Sequence, residues 1–216
     1  MKKPQPRPST SLLSAAALAG ATLLLAACGG GGGGGGGIGV GFPPPATDTG
    51  RGSVVTNPPA QVVRLSVDQF RTLLQADDKG RALLQVSGTP KCGIDTRYLE
   101  YRTVGGKGEA TTATAAIMVP AGTDVACNGP RPVVLYAHGT NTARDYNLAK
   151  WTDINQAAAG EGVVVAAMLA AQGFIVVAPN YAGYDKSTLA YHPYLNGDQQ
   201  GKDMVDALTA ARKTFS

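Results

Sequence analysis

The stretch "RPVVLYAHGT", residues 131–140, decides the fold. Its centre is a short apolar run of the kind that is buried on both faces in a parallel sheet, and the run stops at the triplet His-Gly-Thr, 138–140. "FIVVAP", residues 174–179, is a second run of the same kind. Between the two lies "GVVVAAMLAAQG", residues 162–173, which predicts a helix that a glycine closes. This order indicates parallel strands joined by a helix.

Two strand-like segments precede this region and differ from it in composition. "IDTRYLEYRTV" (94–104) and "ATTATAAIMV" (110–119) are rich in β-branched and aromatic residues, and "GGKG" (105–108) between them is typical of a turn. We therefore predict an antiparallel hairpin. The order of hairpin, strand, helix, strand and helix assigns the chain to the α/β class, with helices covering a mostly parallel sheet.

Two helix starts carry capping signals. Ser66 precedes apolar residues at a helical spacing, namely Val67, Phe70, Leu73 and Leu74. Asn196 precedes the last helix, Gln199 follows it by three residues, and Asp198 is favourable in the first turn. The apolar residues of this helix are expected to lie on one face, namely Met204, Val205, Leu208, Ala211 and Phe215.

Residues 1–27 have the plan of an export signal. "MKKPQPR" is positively charged, and "SLLSAAALAGATLLLAA" is a short apolar segment. The segment ends in Leu-Ala-Ala-Cys, which resembles a bacterial lipobox whose Cys28 thiol receives the lipid; the alternative is an ordinary signal peptide followed by a chance cysteine. Gly29, rather than an aspartate, follows Cys28 and favours the outer membrane. We expect an exported, lipid-anchored protein of the bacterial cell envelope.

Residues 28–60 are predicted to form a tether. A run of glycines from 29 to 37 is flexible chain, and the Pro-rich part that follows is stiffer. A phosphate-binding loop is excluded because no strand precedes the glycines and no Gly-Lys-Ser/Thr sequence follows them. The folded domain is then expected over 61–216.

The net charge of +4 gives no sign of a nucleic-acid partner. Lys2, Lys3 and Arg7 lie in the export signal, and removing these three from the 19 Lys and Arg leaves 16 against 15 Asp and Glu. A nearly neutral domain lacks the basic footprint of nucleic-acid binding.

Cys92 and Cys127 remain once Cys28 is lipidated. An oxidising compartment favours a disulfide between them, and the predicted hairpin brings its two outer ends, where both cysteines lie, to one place. Free buried thiols are the alternative.

The motifs together resemble a known family. "VVLYAHGT", "GFIVVAPNYAGY" and "HPYLNGDQQGKDMVDALTAAR", preceded by the hairpin, are similar to the N-terminal half of bacterial α/β-hydrolases, and most of all to secretory-lipase-like lipoproteins. The resemblance covers about residues 92–216 and implies a partial α/β-hydrolase fold, truncated before the strand that carries the nucleophile. It also implies an ester or lipid substrate, and neither a metal nor another cofactor is expected.

The resemblance assigns the opening triplet to the oxyanion loop. In that family the loop after the third strand supplies one N–H group that binds the substrate oxygen as negative charge develops on it. His138 would then shape the loop, and Gly139 and Thr140 would supply backbone donors; a strand-end histidine bonded to the backbone is the alternative. His138 precedes the position of a catalytic base, since the family's order is Ser, Asp/Glu, His. Four further residues are expected in the pocket wall: Tyr181, Tyr184, Asp185 and His192.

No serine of the chain stands in a Gly-x-Ser-x-Gly motif. The chain is therefore expected to lack the catalytic triad and to be inactive alone. Two interpretations stay open: the N-terminal fragment of a lipid-anchored ester hydrolase, or a non-catalytic cell-envelope lipoprotein with a degenerate hydrolase fold. The family's sheet order predicts that the strand 133–137 lies parallel to 174–178 and pairs on that side alone, which leaves an exposed apolar edge.

Overall fold

A computed structural model describes residues 50–215. The predicted export signal, Cys28 and residues 28–49 of the predicted tether lie outside the described residues. The elements are β1 (Ala60–Leu65), α1 (Val67–Gln75), α2 (Asp78–Ser87), β2 (Gly93–Val104), β3 (Ala110–Ala121), β4 (Val133–Leu135), α3 (Ala159–Met168), β5 (Ile175–Pro179) and α4 (Gly197–Arg212). None of the described helices is both long and apolar enough to cross a bilayer.

The five strands form one mixed sheet in the order β1-β2-β3-β5-β4. The expectation of a mostly parallel sheet is wrong for residues 50–215, because three of the four strand pairs are antiparallel and only β4 and β5 are parallel. The predicted hairpin is confirmed: β2 and β3 are antiparallel, from Gly93 opposite Ala121 to Val104 opposite Ala110. β4 lies parallel to β5, with Val133 opposite Ile175, and within residues 50–215 it pairs with no other strand. The predicted parallel pairing and the predicted unpaired edge are therefore both present, although β4 is two residues shorter than expected. The Tyr136 N–H still donates to the Val177 carbonyl at 2.9 Å.

Helices cover the two faces of the sheet and enclose two apolar clusters. The larger cluster centres on Trp151, whose ring meets Phe70 of α1 edge-on and whose indole N–H donates to the Thr96 hydroxyl at 3.0 Å. α3 passes close to Trp151 at Gly162, where an added Cβ would lie only 2.3 Å from the Trp151 Cβ. The smaller cluster contains Leu99 and Tyr101 of β2 beneath α4.

Both predicted helix caps are present. The Ser66 hydroxyl accepts the Gln69 N–H, and the Gln69 side chain accepts the Ser66 N–H, which together form a capping box. The Asn196 side chain accepts the Gln199 N–H at 3.1 Å. The third predicted helix, 162–173, starts earlier, at Ala159, and ends at Met168; a short 3-10 turn (170–172) then leads to Gly173, whose φ of 103° favours glycine.

The apolar face predicted for α4 is only partly buried. Ala211 is buried, and Met204 and Leu208 pack half-buried against the core. Val205 is 58% exposed and Phe215 is 38% exposed, whereas the face that meets the sheet carries Gln199, Asp203 and Asp206 beside alanines. A purely apolar pattern could not reveal this face, because its polar groups are hydrogen bonded to β2 and therefore tolerate burial.

The segment from Arg51 to Val55, inside the predicted tether, is part of the fold. Val54 bridges to Tyr101, the Gly52 N–H donates to the Arg102 carbonyl, and Arg51 forms an ion pair with Asp206 at 2.9 Å. Well-ordered chain therefore starts before residue 60, where composition alone placed the boundary.

The predicted disulfide between Cys92 and Cys127 is present, with Cα atoms 5.5 Å apart. It ties the start of β2 to the segment that follows β3, and both cysteines are buried. The hairpin brings the two positions together, as the sequence indicated.

Candidate functional site

An open cleft of about 550 Å³ lies where two loops meet beyond the ends of β4 and β5. One loop follows β4 and begins with the triplet 138–140, and the other follows β5. The lining residues are Thr140, Asn141, Thr142, Arg144, Gly183, Tyr184, Ala190, Tyr191, His192 and Tyr194. Three of the residues predicted from the sequence, Thr140, Tyr184 and His192, therefore lie on its wall.

His138 lies beneath the cleft rather than in it. The residue is 7% exposed, and its ring is stacked between those of Tyr146 and Tyr181, with ring centroids 4.4 and 4.3 Å away. The ring nitrogens face two backbone carbonyls: Nδ1 is 2.7 Å from the Gly139 oxygen and Nε2 is 3.3 Å from the Asn180 oxygen. His138 is therefore buried against backbone carbonyls of both loops.

The rings of Tyr181, Tyr184 and His192 extend this stack towards the cleft. His192 is 4.5 Å from Tyr184, measured between ring centroids, and its Nδ1 is 2.9 Å from the Ala182 carbonyl oxygen. The Tyr184 hydroxyl donates to the Asn141 carbonyl, which ties the two loops together. Tyr181 adopts a positive φ of 66°, a conformation that costs energy and is held by the packed rings around it.

Asp185 lies at the end of the sheet and is not one of the cleft-lining residues. Its Oδ2 accepts hydrogen bonds from the Tyr98 hydroxyl at 2.6 Å and the Thr114 hydroxyl at 3.0 Å. Burial and the bond to Asp185 raise the pKa of Tyr98 well above its usual value. The carboxylate thus anchors the loop after β5 to β2 and β3.

Glu161, in the first turn of α3, is a contributor that the sequence did not reveal. Its two oxygens accept the hydroxyls of Tyr136 and Tyr146, each at 2.6 Å, and its carboxylate also interacts with the Gly139 N–H. Burial acts to raise the pKa of Glu161, but these hydrogen bonds outweigh burial and hold the pKa below its usual value. Burial and the bond to Glu161 raise the pKa of Tyr136 to about 12.

This contact distinguishes the two backbone donors predicted in the triplet. The Gly139 N–H faces a carboxylate, whereas the Thr140 N–H has no hydrogen-bond partner among residues 50–215 and belongs to a residue that lines the cleft. The Thr140 N–H is therefore the donor that is available to a ligand.

Two more charged residues hold the loop after β5. The Arg144 guanidinium donates to the carbonyls of Gly183, Ser187 and Leu189 at 2.7, 3.2 and 2.9 Å. On the other side, the buried Asp203 of α4 accepts the Ala182 N–H at 2.6 Å. Arg144 stands in no motif, and the pattern of the segment 192–212 gives Asp203 no particular role, so only the folded chain shows that both act on this loop.

Serines of the described region have structural contacts. The buried Ser187 hydroxyl donates to the Thr112 carbonyl at 2.6 Å, and Ser66 caps α1. Over residues 50–215, no hydrogen bond joins a serine hydroxyl to a histidine ring. Within the same range, no group of three or more His, Cys, Asp or Glu side chains is arranged to hold a metal ion.

Comparison with known proteins finds relatives among solved structures. The sequence matches no protein-family model and no curated protein sequence. The rice cell wall degrading esterase LipA from Xanthomonas oryzae is 30% identical with a TM-score of 0.61, and the match covers 76% of this chain and 38% of LipA. A ligand-bound form of LipA matches with 29% identity and the same TM-score and coverage.

A putative hydrolase from Legionella pneumophila subsp. pneumophila shares the fold at 20% identity and a TM-score of 0.56, over 74% of this chain and 38% of that protein. The shared region contains a mixed five-stranded sheet with helices on its faces. The chain therefore has a hydrolase-like α/β fold, similar to that of the esterase LipA, and spans 38% of that enzyme's length.

Proposed function

We propose that this chain is the N-terminal part of a carboxylic ester hydrolase that transfers an acyl group to water through a Ser-His-Asp mechanism. The observation that carries the proposal is the similarity to an esterase at 30% identity, combined with the Thr140 N–H, which has no partner within residues 50–215 and belongs to a residue that lines an open cleft. The fold alone would not support it, because one fold serves many activities.

In this mechanism the described residues bind and orient the substrate. The ester carbonyl oxygen enters the cleft beside the Thr140 N–H, which donates to it as negative charge develops. His138 and Glu161 contact the backbone of Gly139, the residue before that donor. The second donor and the three triad side chains come from residues other than those described.

The environment of the enzyme follows from the N-terminal sequence. We propose export, lipidation of Cys28 and attachment to the outer membrane, so that the Gly-rich segment holds the domain away from the lipid surface. An ester or lipid in the cell envelope or outside the cell would then be the substrate.

A second candidate is a non-catalytic envelope lipoprotein that keeps a hydrolase-like fold. Both candidates agree with the lack of a serine–histidine hydrogen bond within residues 50–215, so the described contacts do not choose between them. Ester hydrolysis separates the two candidates.

The experiment measures p-nitrophenyl ester hydrolysis by the 216-residue chain and, where the DNA beyond codon 216 continues in frame, by the extended protein. We expect turnover that a serine-directed inhibitor blocks in the extended protein, and background rates in the 216-residue chain. In the active form, Thr140→Pro removes the N–H donor and should lower kcat by about 10²–10³-fold. Thr140→Ser keeps the donor and is the matched control. An extended protein without turnover would favour the lipoprotein.

A further inference from the structure

The two ring nitrogens of His138 cannot both be satisfied when the imidazole is neutral. Each faces a backbone carbonyl oxygen, Gly139 on the Nδ1 side and Asn180 on the Nε2 side. A neutral imidazole carries one N–H, whereas the imidazolium carries two. The Gly139 contact, at 2.7 Å, is the shorter one, so the proton of the neutral ring belongs on Nδ1. The Nε2 lone pair then faces the Asn180 oxygen at 3.3 Å, which is repulsive.

Some groups around the His138 ring stabilise its protonated form, and others destabilise it. Tyr146 and Tyr181 present their faces at distances suited to a cation, and Tyr184 meets the ring edge-on at 5.7 Å. The Glu161 carboxylate of α3 favours the cation. Burial and the neighbouring His192 oppose it, and burial is the larger effect, so the pKa of His138 lies below its usual value.

We propose that His138 is a proton-dependent positioning residue for the 138–140 loop. The second proton enters on Nε2 and donates to the Asn180 carbonyl, which ties the loop to the end of β5. Asn180 is a firm anchor, because its side chain bonds to Thr114, Asn147 and the Leu148 N–H. When that proton leaves, the loop that carries the Thr140 N–H loses its hydrogen bond to Asn180.

The catalytic consequence rests on the proposed ester hydrolysis, whereas the structural consequence does not. If the loop presents the Thr140 N–H to the substrate, a less precise position of this donor should lower kcat rather than raise KM. The reason is that the donor binds the transition state more strongly than the substrate. In an active form, kcat should therefore rise about two- to tenfold on acidification through the His138 titration, relative to a His138→Phe variant. Phenylalanine keeps the stacked ring and removes both nitrogens.

Nuclear magnetic resonance on the full chain tests the structural part without any activity. The chain contains two histidines, His138 and His192, so long-range ¹H–¹⁵N spectra of ¹⁵N-histidine-labelled protein show two side chains, and His192→Gln assigns them. We expect His138 to be the Nδ1–H tautomer at high pH and to gain its second proton below pH 6.5. Glu161→Gln should lower that midpoint by about 0.5 to 1 pH unit. Glu100→Gln, on β2, is the matched control and should leave it unchanged.

The outcomes separate the two proposals. A neutral Nε2–H tautomer, or a midpoint that Glu161→Gln does not move, would overturn the positioning role whatever the activity. The expected titration in a protein whose every form lacks turnover would uphold the positioning role and refute ester hydrolysis. Turnover whose pH dependence is identical in wild type and His138→Phe would refute the link between them.

Discussion

Asp203 gives the sharpest test of the energetics, because a carboxylate in α4 is fully buried beneath the loop after β5. It accepts the Tyr101 hydroxyl and the Ala182 N–H, each at 2.6 Å, and the Gln199 amide at 3.3 Å. Burial outweighs these hydrogen bonds and raises the pKa of Asp203 to about 6 from 3.8. The side chain therefore takes up a proton more readily in the folded chain than in the unfolded one.

This difference sets the sign and the size of a pH effect. A raised pKa in the folded state means that the contribution of Asp203 to stability is complete below about pH 4 and is lost as the pH rises through about 6. A difference of about two pH units corresponds to roughly 3 kcal/mol. Asp203→Asn is neutral throughout, keeps an oxygen for the Ala182 N–H, and lacks this titration.

The assay is urea unfolding at pH 4, 5, 6 and 7, followed by the fluorescence of Trp151, the only tryptophan. From pH 4 to pH 7, the free energy of unfolding of Asp203→Asn should gain about 2–3 kcal/mol relative to wild type. Asp203→Ala should be destabilised by about 3–5 kcal/mol, because it leaves two buried donors without an acceptor. Asp198→Asn, at a side chain that is 76% exposed, controls for the loss of charge alone. Parallel pH curves for wild type and Asp203→Asn would refute the reasoning.

Three further predictions concern stability and processing. Gly162→Ala should lower the stability by about 1–3 kcal/mol in thermal unfolding, because its Cβ would overlap Trp151. The control Gly160→Ala has open space around its Cβ and should raise the stability by up to ~1 kcal/mol. Equal effects of the two substitutions would contradict the packing argument. Removing the Cys92–Cys127 disulfide, a loop with a sequence separation of 35, should cost roughly 3–4 kcal/mol in urea unfolding, and an unchanged midpoint would show that the loop closure contributes nothing. A fatty-acid label should mark wild-type protein in cells and not Cys28→Ala, and equal labelling of both would exclude lipidation at Cys28.

The elements that the sequence predicted are those whose signal is local. The hairpin, β5 and the capped starts of α1 and α4 each carry an apolar pattern or a capping side chain within a few residues. β1 and α2 were not predicted. β1 is a short edge strand with mostly exposed side chains, and α2 buries no residue completely, so neither shows a strong apolar periodicity. Asp77, whose side chain accepts the Gly80 N–H, was the available sign of α2.

The candidate site was predictable only where a motif marked it. The triplet 138–140 was found because it ends an apolar strand in a recognisable pattern. The contributions of Glu161 and Arg144 were not predicted. Glu161 binds a tyrosine and Arg144 binds backbone carbonyls, and these partners lie far away in the sequence. Long-range partners of this kind are set by the sheet order and become visible once the fold is known.

The polar inner face of α4 also bears on the order in which the chain folds. Gln199 and Asp203 bond to β2, at the Val104 carbonyl and the Tyr101 hydroxyl, and Asp206 bonds to Thr103. A helix with an apolar face is stabilised by burial against any collapsed apolar surface. These polar side chains are stabilised by burial only when their partners in β2 are already in place. α4 should therefore dock after the β2–β3 hairpin has formed, so that substitutions on its inner face have φ-values near zero and act mainly on the unfolding rate.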